Sequence, residues 1–140
     1  MQGLFLEDLT VGQSAELVRD VGEADIVAFA QVTGDTNPVH LDADYAATTA
    51  FGERIAHGML SAGYISAVLG TTLPGPGAVY LSQNLKFLRP VKIGVSVTAR
   101  ATVTAIDTAK AQVTLATVCL ANGKKVVDGE AVVLVPRKAV

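Results

Sequence analysis

Two ionisable side chains of complementary type, Asp35 and His40, fall in the run Gly34-Asp35-Thr36-Asn37-Pro38-Val39-His40. A carboxylate and an imidazole held together can pass a proton near neutral pH, which is what activating a water molecule requires. Asn37-Pro38 restricts the backbone to an extended or turn geometry, so the loop is able to bring the two groups around a small ligand. The same residues also read as a turn cap and a surface histidine, and their spacing alone does not decide between the two.

A second run, Arg54-Ile55-Ala56-His57-Gly58-Met59-Leu60, leads into a long stretch of small and apolar residues. If that stretch is a helix, the backbone N–H of Gly58 lies near its N-terminus. Free N–H groups and the helix dipole there favour negative charge developing on a carbonyl oxygen. Glycine also admits close approach of a ligand to the backbone. On such a helix Gly58, Ala62 and Ser66 share a face with Leu69 beside them, a stripe that serves close packing as well as a site. His57, next to the expected oxyanion donor, reads better as a structural hydrogen-bonding residue than as a catalytic one. With two histidines and no Cys or acidic cluster at ligand spacing, no metal site is expected. There is no Gly-x-Ser-x-Gly elbow, P-loop or dinucleotide fingerprint, so no cofactor is expected either.

The elements that must position these residues are legible from periodicity. Acids at Glu23 and Asp25 followed by Ile26, Phe29, Ala30 and Thr33 give a helix that Gly34 stops. Asp42 can cap a short helix containing Tyr45 and Ala46. The nearly uncharged segment from Ala56 to Leu69 reads as a helix buried on most sides. The period then changes to two. Val95, Val97, Ala99, Ala101, Val103 and Ala105 alternate with polar residues, the mark of a strand with one buried face. Val79, Leu81, Leu85 and Phe87 alternate similarly until Arg89-Pro90. Runs over 112–121 and 125–135 flank Asn122-Gly123, a strong hairpin signal, and 14–21 adds an early strand. Consecutive hairpin strands imply an antiparallel sheet, and wrapping that sheet around the neutral helix buries both. The fold class is α+β.

Composition excludes several function classes. Half of the 140 residues are hydrophobic and 17% are charged, which is incompatible with disorder and sized for one domain over 1–140. A net charge of −2 gives no footprint for nucleic acid or an anionic membrane. The first residues lack the basic and apolar regions of a signal peptide, and no apolar stretch is long enough to span a bilayer, so a cytoplasmic protein is expected. The single cysteine, Cys119, lies in an apolar run and reads as a buried small hydrophobe.

The motif Gly34-Asp35-Thr36-Asn37-Pro38-Val39-His40, followed by Ala50-Phe51 and Ile55-Ala56-His57-Gly58-Met59-Leu60, resembles the hydratase motif of MaoC-like proteins. The likeness is to the short, single-hot-dog (R)-specific enoyl-CoA hydratases associated with polyhydroxyalkanoate synthesis, and it continues through Leu73-Pro74-Gly75 and Tyr80-Leu81-Ser82-Gln83 to the final strand. It implies a hot-dog fold, homodimers with sheets joined edge to edge, and an acyl-CoA substrate. It also implies catalytic Asp35 and His40, an oxyanion donor at Gly58, a site serine at Ser66, and Leu69 and Val132 limiting the acyl pocket. One departure is Gly52-Glu53-Arg54-Ile55, where relatives commonly carry proline before the Ile. Thioesterases and acyl-carrier-protein dehydratases share the fold; the paired Asp35/His40 and His57-Gly58 motifs favour hydration, with a non-catalytic acyl-CoA-binding module as the remaining rival.

Overall fold

The protein is described by a computed structural model covering residues 2–139. Met1 and Val140, the ends of the expected 1–140 domain, lie outside the described residues. A short 3-10 turn, Leu6–Asp8, precedes β1 (Ser14–Asp20) and α1 (Glu23–Thr33). Two brief helices follow, α2 (Pro38–Leu41) and α3 (Ala43–Ala47), and then the long α4 (Gly58–Thr71). Four strands complete the chain: β2 (Val79–Phe87), β3 (Ser96–Asp107), β4 (Gln112–Ala121) and β5 (Lys124–Leu134).

The strands form one antiparallel sheet in the order β1-β3-β4-β5-β2. The connection from β4 to β5 is the expected hairpin, with Asn122 and Gly123 both in the left-handed region (φ 53° and 74°), as a type I′ turn demands. The sheet packs on α4. Tyr64, Ile65, Val68 and Leu69 on one side of that helix meet Val97, Ala99, Ala101 and Val103 of β3, Val113 and Leu115 of β4, and Ala131 and Val133 of β5 in a single apolar cluster. Burying a side chain the size of Ile65 is worth about 1.5–3 kcal/mol. This is the antiparallel sheet on a central helix that the pattern implied. None of the helices among the described residues is long and apolar enough to cross a membrane.

The structure corrects three details. α4 starts at Gly58 rather than Ala56, because the Ala56 N–H bonds to the Val91 carbonyl (2.7 Å) and Ile55 bridges Lys92, keeping the chain extended up to His57. In β3 the alternation stops after Val103: the register shifts between Val103 and Ala105, so Ala105 faces solvent. The apolar residues of β2 do not gain a buried face either. Val79, Leu81 and Phe87 are 51%, 46% and 53% exposed, since β2 is an edge strand with a neighbour on one side only.

Cys119 is fully buried on β4, its thiol donating to the Ser61 carbonyl oxygen of α4 (3.4 Å). Burial pushes its pKa up to about 12. The native thiol therefore stays protonated where an unfolded one would ionise, so stability falls as pH rises above the ordinary thiol value toward the native one. Thiol-reactive probes at pH 8 are expected to leave Cys119 unmodified in the native protein and to label it only after denaturation, as intact-mass analysis would record.

Candidate active site

Gly34 ends α1 in the left-handed conformation (φ 80°), its N–H closing the last turn on Ala30 (2.9 Å). Thr33 and Asn37 then shape the loop. The Thr33 hydroxyl donates to the Phe29 carbonyl (2.6 Å) and accepts from the Asp35 N–H (3.1 Å). Asp35 Oδ1 accepts from the Asn37 N–H (3.3 Å), and Asn37 Oδ1 from the Val39 N–H (3.1 Å), an N-cap with Pro38 in the first turn. The single turn of α2 sends His40 inward, where it is buried, while Asp35 remains exposed.

The ring orientations follow from their partners. His40 Nδ1–H donates to the Ile55 carbonyl oxygen at 2.7 Å, which leaves Nε2 as a lone pair. His57, the N-cap residue of α4, donates from Nε2–H to the Asp35 carbonyl oxygen at 2.9 Å. The two imidazoles stack with centroids 3.8 Å apart and planes 29° off parallel, and Phe29 lies against His57 at 4.6 Å. A carboxylate oxygen of Asp35 and a ring nitrogen of each histidine lie within 4.8 Å of one another. Two hydrogen bonds of about 2.8 Å at the bond angle of water span roughly 4.4 Å, so one water fits between the Asp35 carboxylate and an imidazole lone pair.

Three ligand-type side chains within reach also raise the question of a metal. Stacked rings hold their in-plane lone pairs side by side instead of converging on one point about 2 Å from each, as an ion would require. That ring geometry does not suit a metal centre, although the donor types would.

His40, His57 and Gly58 line a cavity of about 480 Å³, closed by Phe51, Ile55, Phe87, Leu88, Arg89, Pro90 and Val91. Gly58 is the first residue of α4, whose opening N–H groups have no partner within the helix. A Cβ at Gly58 would stand 2.7 Å from the Phe87 ring, so glycine allows the edge strand to approach the helix start. A second cavity of about 680 Å³ runs along α4 beside the inner face of β2, and Met59 and Phe87 border both.

Of the residues singled out in the sequence, Asp35, His40 and Gly58 come together. Ser66 lines the second cavity, further along α4. Leu69 is on the buried side of α4 within the core, and Val132 lies opposite the inward-facing Ala131 and Val133 of β5; neither lines either cavity. Phe29, Phe87, Leu88 and Arg89 were not foreseen, because strand pairing brings most of the wall from distant sequence. Arg54 was marked only as a departure from proline. Its Nε–H donates to the His40 carbonyl oxygen (2.6 Å), while its two terminal nitrogens fork onto Glu23 (2.7 and 3.0 Å), tying α2 to the start of α1.

The model of the MaoC like domain family matches residues 8–126. A Rhodospirillum rubrum protein named an (R)-specific enoyl-CoA hydratase is 56% identical over 134 residues, 96% of this chain and 93% of that protein. The unliganded R-hydratase of Pseudomonas aeruginosa superposes with a TM-score of 0.92 at 50% identity, covering 97% of this chain and 88% of that one. The (R)-hydratase from Aeromonas caviae, described as involved in PHA (polyhydroxyalkanoate) biosynthesis, gives 0.90 at 47% identity, over 93% and 99% of the two chains. The sheet and helix are thus the hot-dog fold.

The Arg54 fork makes a stability prediction. Arg54 is mostly buried and satisfies a main-chain carbonyl, whereas Glu23 is 57% exposed. Arg54→Ala is expected to cost about 1–3 kcal/mol by leaving the His40 carbonyl without its donor. Glu23→Gln should cost less than about 1 kcal/mol, as surface ion pairs do. Urea denaturation of the two variants measures the difference.

Proposed function

The chain belongs to the MaoC-like family, and on that premise we propose that it is an (R)-specific enoyl-CoA hydratase, a hydro-lyase acting on trans-2-enoyl-CoA. The observation that carries this reading is the closeness of an Asp35 carboxylate oxygen to a ring nitrogen of His40, beside a cavity that His40 lines together with the N-terminus of α4. Both groups accept hydrogen bonds, so one water donating to both keeps its oxygen lone pair free for attack.

In the proposed reaction that oxygen bonds to the β-carbon of the enoyl thioester as one water O–H breaks. Asp35 takes the proton in our reading, with His40 sharing the proton traffic. The electrons of the double bond move onto the thioester oxygen as an enolate, which the Gly58 N–H stabilises; loss of such a donor typically costs about 2.7–4 kcal/mol of barrier. The pair then returns a proton to the α-carbon, giving the (R)-3-hydroxyacyl-CoA, and dehydration runs the same path in reverse. Fixing the water over the β-carbon contributes through proximity. Ser66 lies further along the same helix, beside the second cavity, where an acyl chain would extend. No cofactor enters. The product suits polyhydroxyalkanoate synthesis, the process in which the Aeromonas caviae relative is described as involved, and a cytoplasmic enzyme accords with that reading.

The proposal includes a homodimer. Val79, Tyr80, Leu81, Phe87 and Leu88 are exposed on and just beyond an unpaired sheet edge, with Met59 of α4 alongside. A second copy adding its own β2 would satisfy the edge and cover that apolar surface. Light scattering should give a dimer for the wild type and a smaller species for Leu81→Lys, which places a charge on the edge. A wild-type monomer at micromolar concentration would sink this part of the reading.

For the activity, crotonyl-CoA is expected to lose its conjugated enoyl-thioester absorbance without release of free thiol. Asp35→Asn and His40→Gln should each lower kcat by at least about a hundredfold, the scale of an acid–base contribution. Thiol release matching substrate loss would make the protein a thioesterase, and near-normal turnover in either variant would remove that residue from the mechanism.

A further inference from the structure

His57 is 2% exposed and touches both members of the proposed water-holding pair. Its Nε2–H anchors the main chain of Asp35, and its ring face supports the His40 imidazole from below. Phe29 from α1 backs the sandwich on the same ring. The acceptor identity sets the tautomer: because Nε2 faces a carbonyl oxygen, the ring carries its proton there, and buried Nδ1 has no hydrogen-bond partner among the described residues. His57 is also the N-cap of α4, immediately before Gly58. One rigid side chain is therefore in register with Asp35, His40 and the start of the helix at once.

We propose that His57 is a positioning residue that fixes the separation between the Asp35 carboxylate and His40 Nε2, through its Nε2–H bond to Asp35 and its stack on His40. The loop bearing Asp35 is exposed; its other side-chain bonds are local, within 33–39, and the Val39 carbonyl at its end accepts from the Ile55 N–H (3.3 Å). His57 alone among the polar side chains described there joins that loop to α4. His40 gains its in-plane orientation from Ile55, but that single hydrogen bond leaves the ring free to tilt about it; the face of His57 removes the tilt. Catalytic groups tolerate little displacement, since about 1 Å of misplacement can cost on the order of a hundredfold in rate.

The inference rests on the hydratase reading for its kinetic test, and the two roles can be separated by substitution. His57→Gln keeps an amide N–H that can reach the Asp35 carbonyl but removes the aromatic face. His57→Phe keeps a flat ring under His40 and removes the donor. Each variant is expected to lose at least tenfold in kcat for crotonyl-CoA with KM changed less than threefold, because positioning acts on the reacting geometry and not on thioester binding. Wild-type kcat in either variant overturns the proposal, and so does a loss confined to KM, which would make His57 a substrate contact. Should the Phe variant fail to fold, the Gln variant decides by the same criterion. Independently of turnover, nitrogen-15 NMR of the wild-type imidazoles is expected to show His57 protonated at Nε2 and His40 at Nδ1. The opposite tautomer of His57 overturns the proposal even if both variants are unstable. Absence of hydration by the wild type would instead remove the hydratase reading and leave the tautomer test standing.

Discussion

A helix of fourteen residues without one charged side chain cannot sit on a surface, and the disposal of α4 organises the rest of the molecule. Covering its apolar side takes three strands with a buried apolar face, and β3, β4 and β5 supply them. Once the sheet curls over the helix, the two ends of α4 become different places. The C-terminal end runs into buried Leu73, while the N-terminal end opens onto the cavity beneath α2 and the 87–91 segment. The proposed chemistry lies at the end where unpaired N–H groups are available.

That end is built by segments with little regular structure of their own, and hydrogen bonds substitute for strand or helix ladders. Ile55 and Ala56 are clamped between α2 and 91–92, with the Ile55 N–H on Val39 and the Ala56 N–H on Val91. Because the clamp fixes the Ile55 carbonyl, it also fixes which nitrogen of His40 carries the proton. Arg54, one residue earlier, holds the His40 carbonyl from the other direction. The same side chain forks onto Glu23, which ties this loop to the start of α1.

Features governed by local chemistry were readable from the residues. Gly34 stops α1 because the left-handed cap needs it, Asn122-Gly123 turns the hairpin for the same conformational reason, and Asp42 caps α3 with its side chain. The family motifs marked Asp35, His40 and Gly58; the fold sets Asp35 beside His40, and His40 and Gly58 line one cavity. What escaped depended on distant pairing. The start of α4 was placed two residues early because a bridge to Lys92, not a helix, buries Ile55 and Ala56. β2 looked half-buried from its alternation, yet burial there requires a neighbour that a single chain does not supply.

The asymmetry between the two acceptors has a physical logic. Asp35 is exposed, and an ionised carboxylate is costly to bury without a charged partner. An imidazole whose Nδ1–H is satisfied by the Ile55 carbonyl can be sunk into the cavity wall between Ile55 and His57 more cheaply than a carboxylate. The buried imidazole therefore supplies the fixed direction and the exposed carboxylate the charge, and a water bridging them would lie at the boundary between bulk solvent and an apolar wall. A substrate that fills the cavity displaces solvent from that boundary and strengthens the field of the carboxylate on the bridging water. An apolar lining of Phe51, Ile55, Phe87 and Leu88 fits that requirement better than a polar one, since it excludes competing waters without offering them hydrogen bonds.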